Sequence, residues 1–411
     1  AWNLVVQTTD WQHWYYAVVS ATDGDVVYVS DWVDEASYNV FGLPLENPDD
    51  GVRTLVVDPA DPIASPFGWH DLDGLPGAEY TLTAGNNVAA YADRNDDDVS
   101  DPGSSPDGGV SLVFDYPIDF ADTPLSYQPA AVTNLFYWTN ISHDVHYQYG
   151  FDEASGNFQE NNYGNGGLGG DWVHAQAQDG ANIGNANNAN FATPPDGSDP
   201  RMQMYEFNIT SPRRDGDLAN QIIVHEFGHG VSNRLTGGPA NANALNALQS
   251  GGMGEGWSDW WSLLFTQKPT DAKMDPYAVG TYVLDDPAGI RRVPYSFDMS
   301  IDPLTYDDYN GSSEVHDAGE IWCSVLWDMN WLLIDQYGFD ADLYNGTAGN
   351  NLAMQLVMDG LKLQPASPTF LDGRDAILLA DQVLTGGQNI QTIWTAFARR
   401  GMGFSAYDGG N

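Results

Sequence analysis

The chain has 411 residues, 42% of them apolar, and a single cysteine, Cys323, so it can build one large core or two ordinary ones but no internal disulfide. With 57 acids against 14 bases its formal charge is −43, which repels a phosphate backbone and argues against nucleic acid as a partner. No apolar run reaches the roughly 18 residues of a membrane span, which argues against a transmembrane helix.

A charge of this size keeps a chain soluble but strains it through self-repulsion, which salt screens. The sequence therefore reads as a protein of saline surroundings or simply as an acidic secreted one. Its 44 glycines, 14 Trp and 21 Tyr suit a loop-rich globular protein. The chain starts at Ala1 without Met or a signal peptide, so a processed or trimmed product is expected. A secreted chain without disulfides must be held by its core and by metal, which favours a bacterial export route. On that route the Asn-x-Ser/Thr sites at Asn140, Asn208, Asn310 and Asn345 carry no sugar.

Residues 1–35 alternate in strand fashion: Trp2 to Val6, Trp14 to Val19, then Val26 to Ser30 after an Asp23-Gly24 hairpin signal. Residues 36–130 carry short β-type runs broken by Pro, Gly and Asp. Within them Asp93, Asn95 and Asp97 alternate like the opening of a Ca2+ loop. Asp98 stands at the sixth place, where such a loop has Gly, and no Glu follows at the twelfth. A solvated acidic loop is the competing reading. Helical spacing covers 131–149 through Val132, Leu135, Phe136, Ile141, Val145 and Tyr149. His143 and His146 lie on it three apart and read as structural. His13, His70 and His174 have no acid or cysteine at ligand spacing. The Gly-rich run 164–170 lacks the pattern of a phosphate cradle.

The run Ile222-Ile223-Val224 leads into His225-Glu226-Phe227-Gly228-His229, an H-E-x-x-H on a helix. Residues four apart share a helical face, so His225 and His229 can offer two imidazole nitrogens to one metal. Glu226 stands beside them, placed to take a proton from a metal-activated water. Alone, the pentapeptide is equally a core helix with two hydrogen-bonded histidines. The next segment, Gly252-Met253-Gly254-Glu255-Gly256-Trp257-Ser258-Asp259, separates the two readings. A catalytic zinc site takes three protein ligands and keeps a fourth position open, and Glu255 supplies the third. Asp259, one turn on, is the natural acceptor for the other ring N–H of a ligand histidine. Beyond Glu255 the chain reads as mostly helical, with amphipathic or apolar helices over 321–333, 349–363, 374–384 and 390–400.

These two stretches, with Gly230-Val231-Ser232-Asn233-Arg234-Leu235-Thr236-Gly237-Gly238 between them, resemble the fungalysin family of secreted zinc metalloendopeptidases. That family belongs to the thermolysin-like group whose third ligand is Glu. The resemblance runs from about Ala36 to the C-terminus and includes Gly156 to Asn162, Asn187 to Pro194 and Arg374 to Leu378. It implies that Asn188 and Ala189 belong to an edge strand that pairs with the substrate backbone. It implies that His316, in Val315-His316-Asp317-Ala318-Gly319-Glu320, hydrogen-bonds the oxyanion. In that group an Asp five residues earlier orients the histidine. Here that place is Gly311, which leaves Asp307, Asp308 or Glu314 to serve. Arg291 resembles the arginine that grips a substrate carbonyl, with Arg292 as its competitor. Residues 1–35 resemble the last strands of the family's inhibitory propeptide, against the reading of an ordinary N-terminal sheet.

The expected fold is therefore α+β and bilobal, thermolysin-like. Residues 1–35 form a propeptide remnant, 36–232 a β-rich lobe ending in the H-E-x-x-H helix, and 233–411 an all-α lobe. The expected protein is a secreted monomeric endopeptidase. One catalytic Zn2+ is bound by His225, His229 and Glu255, Glu226 is the general base, and a Ca2+ at Asp93, Asn95 and Asp97 stays open. Its partners are protein or peptide substrates and its own propeptide. An aminopeptidase needs a group for a free α-amine, and no G-x-M-E-N-type stretch is present. A calcium-dependent adhesion module would not keep the zinc triad. A latent form with residues 1–35 over the cleft is a state of the same enzyme.

Overall fold

The structure is a computed structural model that describes residues 1–7, 14–31, 36–75, 77–309 and 314–408. His13, the boundary at residue 35 and Gly311 lie outside the described residues.

Three strands open the chain: β1 (Trp2–Gln7), β2 (Trp14–Val19) and β3 (Val26–Asp31). They form an antiparallel meander with Trp2 opposite Val19 and Gln7 opposite Trp14. Gly24, at φ +81°, closes the turn into β3, a conformation that an Asp-Gly pair adopts readily. Among the described residues this sheet pairs with no later strand. A second sheet joins β4 (Ser37–Val40), β5 (Thr54–Val57) and, further on, β7 (Val113–Phe114), in the order β5-β4-β7.

The sheet beside the functional helix has the order β6-β8-β10-β9, from β6 (Val88–Ala92), β8 (Val173–Ala177), β9 (Ala189–Ala192) and β10 (Arg201–Met204). β8 runs parallel to β6 and β10, and β9 closes the edge antiparallel to β10, with Ala189 opposite Met204 and Ala192 opposite Arg201. A short pair, β11 (Glu206–Phe207) and β12 (Arg214–Asp215), ends the β-rich part.

Helix α1 (Gln128–Gln148) packs against β4, β6 and β8. Its residues from Ala130 to His146 are all buried, polar ones such as Asn134, Asn140, His143 and Asp144 included, so it is enclosed on every side rather than striped. The histidines on it are structural, as read. His143 Nδ1 meets Asp144 Oδ1 at 2.8 Å, and His146 Nδ1 donates to Ser142 O at 2.7 Å. Burial pushes His146 down to about 3, so it stays neutral.

From residue 220 the described chain contains helices and irregular segments but no strand: α2 (Asn220–Leu235), α3 (Leu248–Thr266), the single turn α4 (Thr281–Leu284), α5 (Val315–Tyr337), α6 (Gly349–Leu363), α7 (Phe370–Thr385) and α8 (Ile390–Arg399). The segment between α3 and α5 is the exception to a mostly helical chain beyond Glu255. It holds only α4 and one 3-10 turn, because Pro269, Pro276, Pro287, Pro294 and Pro303 deny it an uninterrupted run of backbone donors. Ile223, Val224 and Phe227 of α2 are fully buried, each contributing about 2 kcal/mol of burial. α3 and α5 cross almost backbone to backbone. A Cβ on Gly256 would lie 2.5 Å from Gly319 O, and one on Gly319 would lie 2.5 Å from the Glu255 Cβ.

Candidate metal and catalytic site

α2 presents His225, Glu226 and His229, and α3 brings Glu255 and Asp259 against them. The Nε2 atoms of His225 and His229 stand 3.1 Å apart. Glu255 Oε2 lies 3.2 Å from His225 Nε2, and Oε1 lies 3.7 Å from His229 Nε2. His225 Nδ1 meets Asp259 Oδ1 at 2.8 Å, which fixes the ring with Nε2 facing His229. Glu255 Oε2 is buried between two imidazole nitrogens, His225 Nε2 at 3.2 Å and His316 Nε2 at 3.4 Å. Two imidazole nitrogens and a carboxylate, all within 4.8 Å of one another, fit one small cation with a coordination position to spare.

The protonation pattern follows from the same contacts. Burial alone would depress His225, but its hydrogen bonds to Asp259 and Glu255 outweigh that and hold it up at about 10. Burial takes His229 down to about 4. Burial would raise Glu255, yet the three histidines around it hold it at about 2. Glu226, 5% exposed, is pushed up by burial to about 7.

Asp259 is the best-anchored acid of the group. It accepts from His225, from Arg291 Nε at 2.7 Å and Nη2 at 2.8 Å, and from the Tyr295 hydroxyl. Burial works against its charge, and Arg291 and His225 overcome it, holding the carboxyl far below its usual range. Arg291 thus spends one edge of its guanidinium on Asp259. Arg292 is turned away to α5, where it meets Glu320 Oε2 at 2.6 Å. Tyr295 has no sequence signal, since a lone tyrosine in a Pro-broken segment looks like any other.

His316 opens α5. Its Nε2 lies 3.4 Å from Glu255 Oε2, and its Nδ1 lies 2.6 Å from Glu314 Oε1. Of the three acids left open by the sequence, Glu314 is the one against this ring. Its other oxygen caps α5 by accepting the Asp317 N–H at 3.0 Å. Ala189 lies on the edge strand β9 and Asn188 just before it, exposed. The acidic loop closes on itself: Asp93 accepts the N–H groups of Asp97 at 3.2 Å and Asp98 at 2.7 Å, and Asn95 donates to Asp97 at 2.8 Å. The only other cluster of metal-ligating type among the described residues is Asp71, Asp73 and Glu79.

An α+β fold that gathers His225, His229 and Glu255 from two packed helices defines a candidate site for one metal ion, of the H-E-x-x-H kind. The family model of Fungalysin metallopeptidase (M36) matches residues 37–406, and the chain belongs to that family. It is 45% identical over 425 residues to the "Extracellular metalloproteinase mep" of Aspergillus fumigatus, covering 99% of this chain and 64% of that protein. It is 43% identical over 416 residues to "Extracellular metalloproteinase 2" of Arthroderma gypseum, covering 99% and 65%. The chain thus spans just under two thirds of the length of these relatives. Among solved structures, the precursor of protealysin, a metalloproteinase from Serratia proteamaculans, shares the fold. It has a TM-score of 0.50 and 16% identity, over 81% of this chain and 92% of that one. No helix among the described residues is long and apolar enough to cross a membrane.

Proposed function

We propose that the protein is a secreted zinc endopeptidase acting on protein or peptide substrates. The observation that carries this is the pair of imidazole nitrogens 3.1 Å apart with the Glu255 carboxylate against them, all within 4.8 Å, in a chain of a metallopeptidase family. Zinc held by His225, His229 and Glu255 would supply a Lewis acid for the scissile carbonyl and acidify a water. Glu226 is the general base. Buried and poised near neutrality, it takes a proton from the attacking water and passes it to the leaving amine. His316 donates from Nε2 to the carbonyl oxygen as that oxygen gains charge, while Glu314 holds Nδ1. Asp259 keeps His225 in its metal-binding tautomer. Extended substrate adds to β9, whose outer edge has no strand partner among the described residues. The separate sheet of residues 1–31, and a family match that begins at residue 37, support reading 1–35 as the end of a propeptide.

The test is casein hydrolysis by the purified protein, with chelator and after zinc is restored. Activity should vanish and return. Glu226→Gln should keep one zinc per chain and lose turnover, and cleavage at near wild-type rate by that variant would sink the assignment.

A further inference from the structure

The helix that carries the metal ligands also holds the strand beside them. Past His229, α2 turns Gly230, Asn233 and Arg234 toward β9 and its continuation. Gly230 lets the strand come close: a Cβ there would stand 2.7 Å from ring carbons of both Phe191 and Phe158. Phe191 of β9 lies against Phe158 and Phe227, with ring centres 5.7 and 6.4 Å away. Asn233 Nδ2 reaches Thr193 Oγ1 at 3.4 Å.

Arg234 is fully buried. Its Nε donates to Pro194 O at 2.8 Å, and its Nη1 donates to Gly156 O at 2.9 Å and Asp171 Oδ2 at 3.1 Å. Asp196 Oδ1 and Ser198 O complete the set at 3.4 Å each. The guanidinium also lies over Phe158, 4.9 Å from the ring centre. Asp171 is fixed in turn, accepting the N–H groups of Gln159 and Gly197. A guanidinium is a rigid planar fork. These acceptors can be met together only when the segments around 156, 171 and 194–198 hold one arrangement.

We propose that Arg234, with Asn233, is a positioning residue for substrate, fixing the height of β9 over the metal-binding helix. A peptide paired with β9 is thereby held level with His225 and His229. The proposal rests on the reading that β9 receives the substrate backbone. Backbone pairing needs N···O distances near 2.9 Å. A strand that rides up by a fraction of an ångström weakens every bond to a bound peptide and leaves the metal untouched. Lysine at 234 keeps the charge but has no fork, so it cannot hold Pro194, Gly156 and Asp171 at once.

The experiment uses the zinc-loaded protein and a series of peptides lengthened one residue at a time away from the scissile bond. In the wild type kcat/KM should climb with length. In Arg234→Lys the KM of the longest peptide should rise about tenfold with kcat little changed. The shortest peptide and the zinc Kd, read by chelator competition, should stay as in the wild type. Asn233→Ala should move KM the same way by about threefold, and it carries the test if Arg234→Lys does not fold. A loss equal at every length, a loss in kcat alone, or no loss overturns the proposal. A wild type indifferent to peptide length overturns the strand reading instead.

Discussion

Glu314 offers the sharpest test of the reaction centre, because one carboxylate holds His316 and caps α5 at once. The His316–Glu314 pair is half-exposed, at 48% and 52%, so its hydrogen bond is far weaker than a buried charge pair. Replacing the carboxylate by an amide removes the charge assistance, about 1 kcal/mol at such exposure. Glu314→Gln should therefore lower kcat/KM about fivefold. His316→Ala, which removes the donor itself, should lower it about 10²- to 10³-fold. The double variant separates the two jobs of Glu314. If the carboxylate acts through the imidazole, Glu314→Gln costs nothing further in a His316→Ala background. A full fivefold loss in that background, or a fall in thermal stability that accounts for the loss in both, would refute the reasoning and leave Glu314 as a helix cap only.

Asp259→Asn should weaken zinc binding about 10- to 100-fold, measured by chelator competition, because His225 loses the acceptor that fixes its tautomer; unchanged affinity would remove Asp259 from the site. Sodium chloride should raise Tm steadily, since −43 charges repel one another and salt screens them; a flat Tm would show that local pairs already offset the repulsion. Asp215 and Asp217 are buried together beside Glu206, whose charge Arg94 and Arg213 meet. Burial raises both carboxyls, and the Asp215 charge raises Asp217 further. An acid raised on folding is bound more tightly to its proton in the native state, so stability should fall as pH climbs from the usual carboxylate range toward the raised one. Asp217→Asn should flatten that fall in Tm with rising pH, and an unchanged pH profile would count against the pair.

The metal ligands were legible because their spacing is local. His225 and His229 lie one turn apart on one helix, and Glu255 and Asp259 repeat the interval on the next. The edge position of β9 was legible only through resemblance, because four residues, Ala189-Asn190-Phe191-Ala192, are too short to carry a strand pattern of their own. What escaped reading is what the fold brings together from afar. Tyr295 reaches Asp259 across 36 residues and Arg234 reaches Gly156 across 78, and neither interval has a period that a helix or strand would write into the chain. The acid against His316 could be narrowed to three residues but not to one, since the choice turns on where α5 begins. The mostly helical reading beyond Glu255 holds for the segments from 321 on and not for 267–305, where five prolines interrupt the backbone donors.

The glycine crossing of α3 and α5 has a consequence for how such a protein can change. Gly256 and Gly319 let the main chains touch, so the span from Glu255 to His316 is set by backbone against backbone. Side chains around it can drift in size without moving Glu255 relative to His316. Under the proposed function, variation in substrate choice can then accumulate on β9 and its neighbouring loops while Glu255 and His316 stay at constant spacing. The cost of that freedom is concentrated at a few positions that tolerate no side chain at all.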